Sequence, residues 1–416
     1  MTSESDHGLK NLFGSVPDEA PKTPAAAPSA TPAAPKPKPA PRTGDDHGLT
    51  GLGAPAGARP ADAPGDVPHD AGGPSILGVP TLTPDAPTPA PTTPLPAAPL
   101  SSGLGPSLSV VIVAARAQEA GRTLDALRRQ TAAPGTEAIL VTEAGEAPPA
   151  GDLAGLSLVA AAPDETYGAR AARGIAAAKG DLVALLDPYV FPAGDWAEQV
   201  AGHRHDRFAA LGSALGNANP RSRHSWSHML LEYGDWREGT GGTPEHLPAR
   251  NLVFRRDVLE GRDDLAALLD REGALTAALT QDGLPLAQEP SARLAVLNPS
   301  RLRETLRARY AAGRLDAARW REGMKPAKRV ARAGRALVGG YGRYKRDRAK
   351  LFSGDAAVSP KQHGSAVLLA LLSEGAGRAM GFLAGPGKAA SVRDELMRDR
   401  FATLNKTDRR QFGAER

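Results

Sequence analysis

Acidic and basic side chains follow the apolar segments of this chain. Arg116 lies just past the run LSVVIV, Glu143 directly follows TEAILVT, and Asp187 ends DLVALLD. A carboxylate can hold a divalent cation or hydrogen-bond a ligand, and an arginine can bind an anionic group. His224 and His228 form a further candidate, because i,i+4 spacing places both imidazoles on one helix face, where they could bind a metal. No nearby acid completes that set, so a hydrogen-bonding or surface role is favoured for both histidines.

Strands and helices alternate through the region that carries these residues. The predicted strands are 108–113, 136–142, 156–161 and 181–187, and the predicted helices are 119–130 and 167–179. Such alternation implies parallel pairing through right-handed crossovers, and so a doubly wound, mostly parallel α/β sheet. Ligands of such sheets lie beyond the carboxyl ends of the strands. Residues 114–116, 142–145 and 187–189 should therefore border one cleft.

The first 106 residues differ in composition. They are rich in proline, alanine and threonine and poor in large apolar side chains, which predicts a disordered, partly polyproline arm. The phrase Asp-His-Gly-Leu occurs at 6–9 and again at 46–49. Two interpretations stay open, a docking motif for a protein partner presented twice or a chance similarity in a biased sequence.

Composition excludes several classes of site. The chain of 416 residues has no cysteine, which excludes disulfides, zinc-thiolate sites and cysteine nucleophiles. The formal charge of +5 is modest and does not indicate a nucleic-acid partner. The N-terminus lacks a cationic start followed by an apolar core, so no signal peptide is visible and a cytoplasmic location is expected.

Residues 301–416 read as a basic helical extension. Ten Lys or Arg and one acid lie between 325 and 350, where apolar positions recur at helical spacing. This basic amphipathic pattern predicts a membrane-surface helix, an anionic partner or packing onto the preceding domain. The apolar stretch from Ala366 carries Glu374 and Arg378, which are four apart and able to pair, so an interfacial or packed helical hairpin is favoured over a membrane span. Residues 391–416 are polar and are expected to fray.

Four blocks of sequence resemble family-2 glycosyltransferases. They are SVVIVAARAQEAGRTLDALRRQT, GARAARGIAAAKGDLVALLDPYVFPAGDW, GNANPRSRHSWSHMLLEYGDW and LPARNLVFRRDVL, in the order of that family, and the third is similar to a block of one bacterial branch. The resemblance implies a GT-A domain over 107–300, between the arm of 1–106 and the helical extension of 301–416. It also implies an inverting enzyme that moves a sugar from a nucleotide-sugar to a glycan or lipid-linked acceptor. A membrane-associated enzyme of polysaccharide biosynthesis, peripheral at the inner face of the cell membrane, is the corresponding expectation.

The resemblance assigns roles to particular residues. The expected donor-binding residues are Ala114, Arg116, Glu143, Arg170 and Asp187, and the expected acceptor-binding residues are Trp226, Asn251 and Arg255. Glu272 lies eleven residues before Gly283, the spacing of the catalytic base in the family, and Asp270 is the alternative base. Without the resemblance, the interpretation that both acids are solvated side chains at the start of a helix is nearly as well supported as a catalytic role.

The expected metal site departs from the family pattern. The family binds Mg²⁺ or Mn²⁺ through an Asp-x-Asp motif, but Pro188 and Tyr189 follow Asp187 here, and the late metal-binding histidine would fall near Asn298. One interpretation is an active transferase in which cations such as Arg116, Arg170, Arg173 or Arg250 stabilise the pyrophosphate. The other is an inactive GT-A-like binding or scaffold module. A nucleotidyltransferase would need a glycine-rich loop after the first strand, and AARAQEAGR is not one.

Overall fold

The computed structural model describes residues 107–130, 135–144, 155–204, 206–238, 246–355 and 357–412. By their contacts, all of these residues belong to one unit. The predicted N-terminal arm, with its repeated Asp-His-Gly-Leu phrase, lies outside the described residues and stays a prediction. The domain boundary proposed at residue 300 also stays a prediction.

Strands and helices alternate from Leu108 onward. In chain order the elements up to the last strand are β1 Leu108–Val113, α1 Gly121–Arg128, β2 Thr136–Glu143, β3 Leu156–Ala161, α2 Tyr167–Ala177, β4 Leu182–Leu186, β5 Val190–Pro192, α3 Trp196–Gly202, β6 Ala210–Asn217, α4 Arg223–Glu232, β7 Leu252–Arg255, α5 Leu265–Asp270, α6 Ala274–Gln281 and β8 Leu286–Val296. Five helices follow: α7 Leu302–Arg321, α8 Pro326–Leu351, α9 Pro360–Ala384, α10 Ala389–Arg398 and α11 Lys406–Gln411. The four predicted strands and the second predicted helix are confirmed, and the first predicted helix begins as a 3₁₀ turn at Ala117–Ala120 before α1.

The eight strands of the described residues form one sheet in the order β3-β2-β1-β4-β7-β6-β8-β5. Strands β1 to β4 are parallel to one another, β7 is antiparallel to both β4 and β6, and β8 is parallel to β6. This arrangement confirms the predicted doubly wound, mostly parallel sheet and has the character of a GT-A-like α/β fold. The start of β7 lies beside the end of β4, so residues just before β7 meet residues just after β4.

Alternate side chains of the central strands are buried against two helical layers. Val110 and Ile112 pack in a cluster with residues of α1, α3 and α4, and Val111 and Val113 pack in a second cluster with residues of α2, α5 and α6. Strands buried on both faces need apolar side chains at every position, which is why LSVVIV reads as a continuous apolar run.

The C-terminal helices pack on one another and on the sheet unit. Helix α9 is one continuous helix, so the hairpin expected from Ala366 is wrong, although the helix is packed as expected. It is long and apolar enough to cross a membrane, with a mean hydropathy of 1.4 and half of its most apolar window buried. Its Glu374 is buried and bonds Arg309 of α7 and Arg343 of α8 at an Nη1–Oε1 distance of 2.6 Å for the latter. The expected pair with Arg378 is present at 3.4 Å.

Glycines let these helices approach backbone to backbone. A Cβ added at Gly377 of α9 would lie 2.0 Å from the carbonyl oxygen of Tyr310 in α7, and one at Gly340 of α8 would lie 2.6 Å from that of Leu371 in α9. Only a residue without Cβ fits at such distances.

The last described segment, 389–412, is helical and docked, so the expectation that residues 391–416 fray is wrong for its described part. Phe412 stacks on Phe191 of β5 with ring centroids 5.8 Å apart. Asp408 is fully buried and accepts a hydrogen bond from the side chain of Asn219 at 2.9 Å. The hydroxyl of Tyr189 donates to the carbonyl oxygen of Arg398 at 2.8 Å. The segment therefore covers the sheet edge where β4 ends.

Candidate active site

Asp187 directly follows β4 and is held by residues that precede β7. Its backbone N–H donates to Oδ1 of Asn251 at 2.8 Å, and Nδ2 of Asn251 donates to Oδ2 of Asp187 at 3.2 Å. Asn251 is buried and has a φ of 62°, a left-handed conformation that asparagine tolerates better than most residues. Both polar atoms of its amide therefore bond Asp187, and Asn251 positions that carboxylate. This geometry favours a positioning role over the predicted contact with an acceptor.

Arg250 places a guanidinium against the same carboxylate. Its Nη1 lies 3.3 Å from Oδ1 of Asp187, and its Cζ lies 4.1 Å from the ring centroid of Tyr167. Burial disfavours the charged guanidinium, but Asp187, Tyr167 and Glu272 outweigh that effect and raise the pKa of Arg250. Arg250 is a permanent cation at the end of β4, and a quarter of its side chain remains exposed.

Glu272 lies in the turn between α5 and α6 and is bonded by the C-terminal segment. Arg393 of α10 contacts Glu272 and also bonds Oε1 of Glu232, at the end of α4, at 2.8 Å. Burial alone would raise the pKa of Glu232, but Arg393 and Arg309 outweigh it and hold that pKa at about 2. An ionised Glu232 thus fixes the arginine that contacts Glu272.

Three neighbouring cavities meet at Glu272. The largest of the three is lined by Arg250, Glu272 and Arg393 among others. A second lies between Tyr167 and the turn that carries Glu272. The third opens toward Glu374. Glu272 lines all three, which makes it the acid best placed to meet a ligand.

Asp270, the alternative base, has a structural role. Its Oδ1 accepts a hydrogen bond from the backbone N–H of Gly168 at 2.6 Å, in the first turn of α2. A carboxylate at a helix N-terminus satisfies a free N–H and complements the helix dipole. Asp270 therefore ties α5 to α2, and Glu272 is the one of the two that lines the cavities.

The predicted donor residues at β1 and β2 lie at the carboxyl edge of the sheet. Ala114 is buried and its N–H donates to the carbonyl oxygen of Val141 at 3.0 Å. Glu143 is one-third exposed and accepts from Nη2 of Arg170 at 3.2 Å. Arg116 is two-fifths exposed, and its Nε bonds Glu119 at 3.0 Å.

Arg170 serves the loop before α2. Its guanidinium donates to the carbonyl oxygens of Pro163 at 3.0 Å and Glu165 at 3.2 Å, and the residue is almost fully buried. Among the described residues, Glu143 is the acid that pairs with Arg170. Arg170 is therefore a positioning residue for Glu143.

Two predicted acceptor residues are not brought to the cavities. Trp226 is buried in the core, and its ring packs edge-on against His363 of α9 at a centroid distance of 5.9 Å. Arg255 pairs in register with Leu182, at the amino end of β4, and bonds Asp257. Because a strand rises about 3.3 Å per residue, Arg255 lies roughly 16 Å along β4 from Asp187.

The donor set at Asp187 does not fit a divalent cation. Among the described residues no group of three His, Cys, Asp or Glu side chains could hold a metal. The two carboxylate oxygens of Asp187 face Arg250 and Asn251. Asn298, where the family's histidine would fall, is fully buried and its Nδ2 bonds Asn217 and the carbonyl oxygen of Val296. A guanidinium stands beside Asp187, where a metal-dependent site would hold its cation.

The histidine pair is not a metal site either. His228 lines the largest cavity, and its ring lies edge-on to Tyr233 at a centroid distance of 6.4 Å. Burial lowers the pKa of His228 to about 3, so the imidazole is neutral. A hydrogen-bonding or surface role was expected for His228, but its side chain is buried in the wall of the cavity.

Sequence reasoning missed the contribution of the segment 389–412. Arg393 and Arg400 both line the largest cavity, yet this stretch was expected to fray. The available signal was its spaced apolar residues, Leu396, Leu404 and Phe412, all of which are buried.

No family model matches the chain, and no curated protein matches it. Solved structures do match, at low identity. TarS residues 1–349 from S. aureus is 11% identical with a TM-score of 0.36, covering 74% of this chain and 91% of that one. A mannosyltransferase from Pyrobaculum calidifontis, in complex with GDP-Man and Mn²⁺, is 17% identical with a TM-score of 0.35, covering 70% and 79%. Glucosyl-3-phosphoglycerate synthase from Mycobacterium tuberculosis, in complex with Mn²⁺, UDP and phosphoglyceric acid, is 15% identical with a TM-score of 0.31, covering 47% and 72%. Likeness at these values assigns neither a family nor an activity to this chain.

Proposed function

We propose that this protein is an inverting glycosyltransferase that moves a sugar from a nucleotide-sugar to a hydroxyl of a glycan or lipid-linked acceptor. One observation carries the proposal: Arg250 and Glu272 line the same two adjoining cavities, and Arg250 bonds Asp187, which directly follows the parallel strand β4. Ligands of doubly wound sheets bind at that edge. The four sequence blocks that resemble family-2 glycosyltransferases support the same function.

In the proposed reaction Glu272 is the general base. Its carboxylate accepts the proton of the acceptor hydroxyl as that oxygen attacks the anomeric carbon. The bond from the anomeric carbon to the donor's diphosphate oxygen breaks, and the nucleoside diphosphate leaves with the electron pair. Arg250 stabilises the negative charge on the diphosphate, and Asp187 with Asn251 fixes that guanidinium. Arg393 holds Glu272 in the cavity wall.

At the outer strands, Glu143 would contact the nucleoside. Its carboxylate stands at the end of β2 and one-third of it is exposed, so it can accept a hydrogen bond from a base or ribose while Arg170 fixes it. Ala114, with no side chain beyond Cβ, lets the nucleotide approach the end of β1.

A panel of nucleotide-sugars, each incubated with the protein with and without Mg²⁺ or Mn²⁺, tests the function. Turnover of at least one donor is expected. Glu272→Gln should then lower kcat by roughly 10²–10⁴-fold, the usual contribution of a general base, while donor affinity stays unchanged. Arg255→Gln is the matched control and should retain activity, because Arg255 lies at the far end of the sheet. If no donor is bound or hydrolysed under any condition, the proposal is wrong.

The second candidate function is a non-catalytic binding or scaffold module of the same fold. The observation that favours it is the engagement of both Asp187 oxygens by Arg250 and Asn251. This alternative predicts that Glu272→Gln and Asp187→Asn leave the cellular phenotype intact. Loss of the phenotype in either variant would exclude it.

The proposed location is the inner face of the cell membrane, through α8 and α9. Helix α8 exposes Val330 and Val338, at 63% and 71%, and also carries exposed cations that include Lys328, Arg335 and Lys345. Helix α9 exposes Leu369, Leu372, Met380 and Leu383. An apolar surface bordered by cations matches a bilayer containing anionic lipids.

Vesicle sedimentation tests this location. The full chain should sediment with vesicles that contain phosphatidylglycerol, less with phosphatidylcholine alone, and less as salt rises. Val338→Gln should weaken sedimentation, and Leu158→Gln, which alters an exposed apolar residue of β3, should not. Equal sedimentation of the two variants with the parent would contradict the proposed surface.

A further inference from the structure

Arg400 is a buried cation without a counter-ion among the described residues. The residue is 5% exposed, its Nε has no hydrogen-bond partner, and its Nη2 contacts the sulfur of Met397 at 3.0 Å. None of the ion pairs among the described residues includes it. Arg309 and Arg343 are about as buried, yet each bonds Glu374. A buried guanidinium without a counter-ion is costly, so a bound anion would stabilise it.

The position of Arg400 indicates which anion. It lines the largest of the three cavities together with Arg250 and Arg393. The turn that carries it is anchored two residues past Asp187, because the hydroxyl of Tyr189 donates to the carbonyl oxygen of Arg398. Arg400 thus lines the same cavity as Arg250, near the strand end where the donor's diphosphate is proposed to lie.

The other polar groups that line this cavity are suited to an anion. His228 lines the same cavity with an unpartnered Nδ1, and burial keeps its imidazole neutral, so it can donate a hydrogen bond from one ring nitrogen. The acids of the cavity, Glu232 and Glu272, are already bonded by Arg393. Among the arginines that line this cavity, Arg250 and Arg393 pair with acids, and Arg400 pairs with none of the described residues.

We propose that Arg400 and Arg250 form a subsite for the diphosphate of the donor and take the place of the divalent cation. Two guanidinium groups supply the two positive charges that such a cation would bring, and guanidinium binds phosphate oxygens in bidentate fashion. This inference rests on the proposed function, since a nucleotide-sugar is what brings a diphosphate to the cavity.

Calorimetric titration of the full chain with inorganic pyrophosphate, UDP and GDP, all in EDTA, tests the subsite. Pyrophosphate and at least one nucleoside diphosphate should bind without metal. Arg400→Gln should weaken binding of both ligands by about 10- to 100-fold, the range for losing a charge-assisted hydrogen-bond pair. Arg335→Gln, which alters an exposed arginine of α8, should bind like the parent.

Thermal unfolding of the ligand-free variants separates a ligand-binding role from a structural one. Removing an unpaired buried charge should leave the Tm of Arg400→Gln unchanged or higher, whereas loss of a structural arginine would lower it. Unaltered pyrophosphate binding by Arg400→Gln, a requirement for divalent metal, or a lower Tm would each overturn the subsite.

Different results would overturn the proposed subsite and the proposed glycosyltransferase function. Sugar transfer that persists while Arg400→Gln binds pyrophosphate normally overturns the subsite alone. Metal-free pyrophosphate binding that depends on Arg400, in a protein that turns over no nucleotide-sugar, sustains the subsite and removes the glycosyltransferase.

Discussion

Replacing Arg393 with glutamine tests whether the C-terminal segment is part of the active site. Arg393 bonds Glu232 at 2.8 Å and contacts Glu272, and about a quarter of its side chain is exposed. Breaking a buried ion pair by removing one partner costs about 3–5 kcal/mol. We expect the lower end, about 3 kcal/mol, because Arg309 still pairs with Glu232 and Glu272 keeps access to the cavity.

Thermal unfolding measures this loss. At roughly 2–4 °C per kcal/mol for a unit of this size, the Tm should fall by about 6–12 °C. The Tm of the double variant Arg393→Gln/Glu272→Gln should fall by less than the sum of the falls in the two single variants. The double variant has no Glu272 carboxylate, so no charge is left without its partner there. A Tm loss no larger than that of the exposed-site control Arg335→Gln, or strict additivity in the double variant, would refute the assignment.

The pH dependence of the same variant supplies an independent readout. Glu232 has a pKa of about 2 in the folded protein, below its ordinary value of 4.5. A carboxylate with a depressed folded pKa stabilises the protein above its unfolded pKa and loses that contribution as pH falls toward the folded value. The difference in stability between parent and Arg393→Gln should therefore be full at pH 7 and shrink between about pH 4.5 and pH 2. A difference that stays constant over this range would contradict the ion pair.

The remaining predictions concern positions with a matched pair of variants. Asn251→Gly should lose activity, because the hydrogen bonds to Asp187 are gone, yet should be more stable than Asn251→Ala, since glycine accepts a φ of 62°; kinetics and urea unfolding measure the two effects. Gly377→Ala should be destabilised by at least about 1–3 kcal/mol, because its Cβ would overlap a carbonyl of α7. Gly339→Ala, with open space around it, should be neutral or gain up to about 1 kcal/mol in urea unfolding. Equal effects of the two glycine substitutions would argue against the close approach of α7 and α9.

The chemistry of the site follows from the absence of a second acid beside Asp187. In this protein the carboxylate bonds Arg250 and Asn251, and the cations of the largest cavity come from Arg250, Arg393 and Arg400. A site of fixed guanidinium groups is always charged, whereas a metal site depends on free metal. Metal-independent donor binding is thus the property that best distinguishes the proposed enzyme.

Much of the framework was predictable from local pattern. Continuous apolar runs predicted β1, β2 and β4, because strands buried on both faces need apolar residues at every position. The parallel order then placed Glu143 and Asp187 at one edge of the sheet. The i,i+4 spacing of Glu374 and Arg378 predicted an ion pair that is present at 3.4 Å.

What only the tertiary structure decided is which distant side chains share a cavity. Asn251 and Arg255 are four residues apart, yet β7 runs antiparallel to β4, so the first reaches Asp187 and the second lies at the opposite end. Arg393 and Arg400 reach the cavity because a segment remote in sequence docks over the sheet edge. Periodicity reports how a segment is buried, but not which charges it will face. Ion pairs between elements are fixed by docking, and so the acids could be located from the sequence and their arginine partners could not.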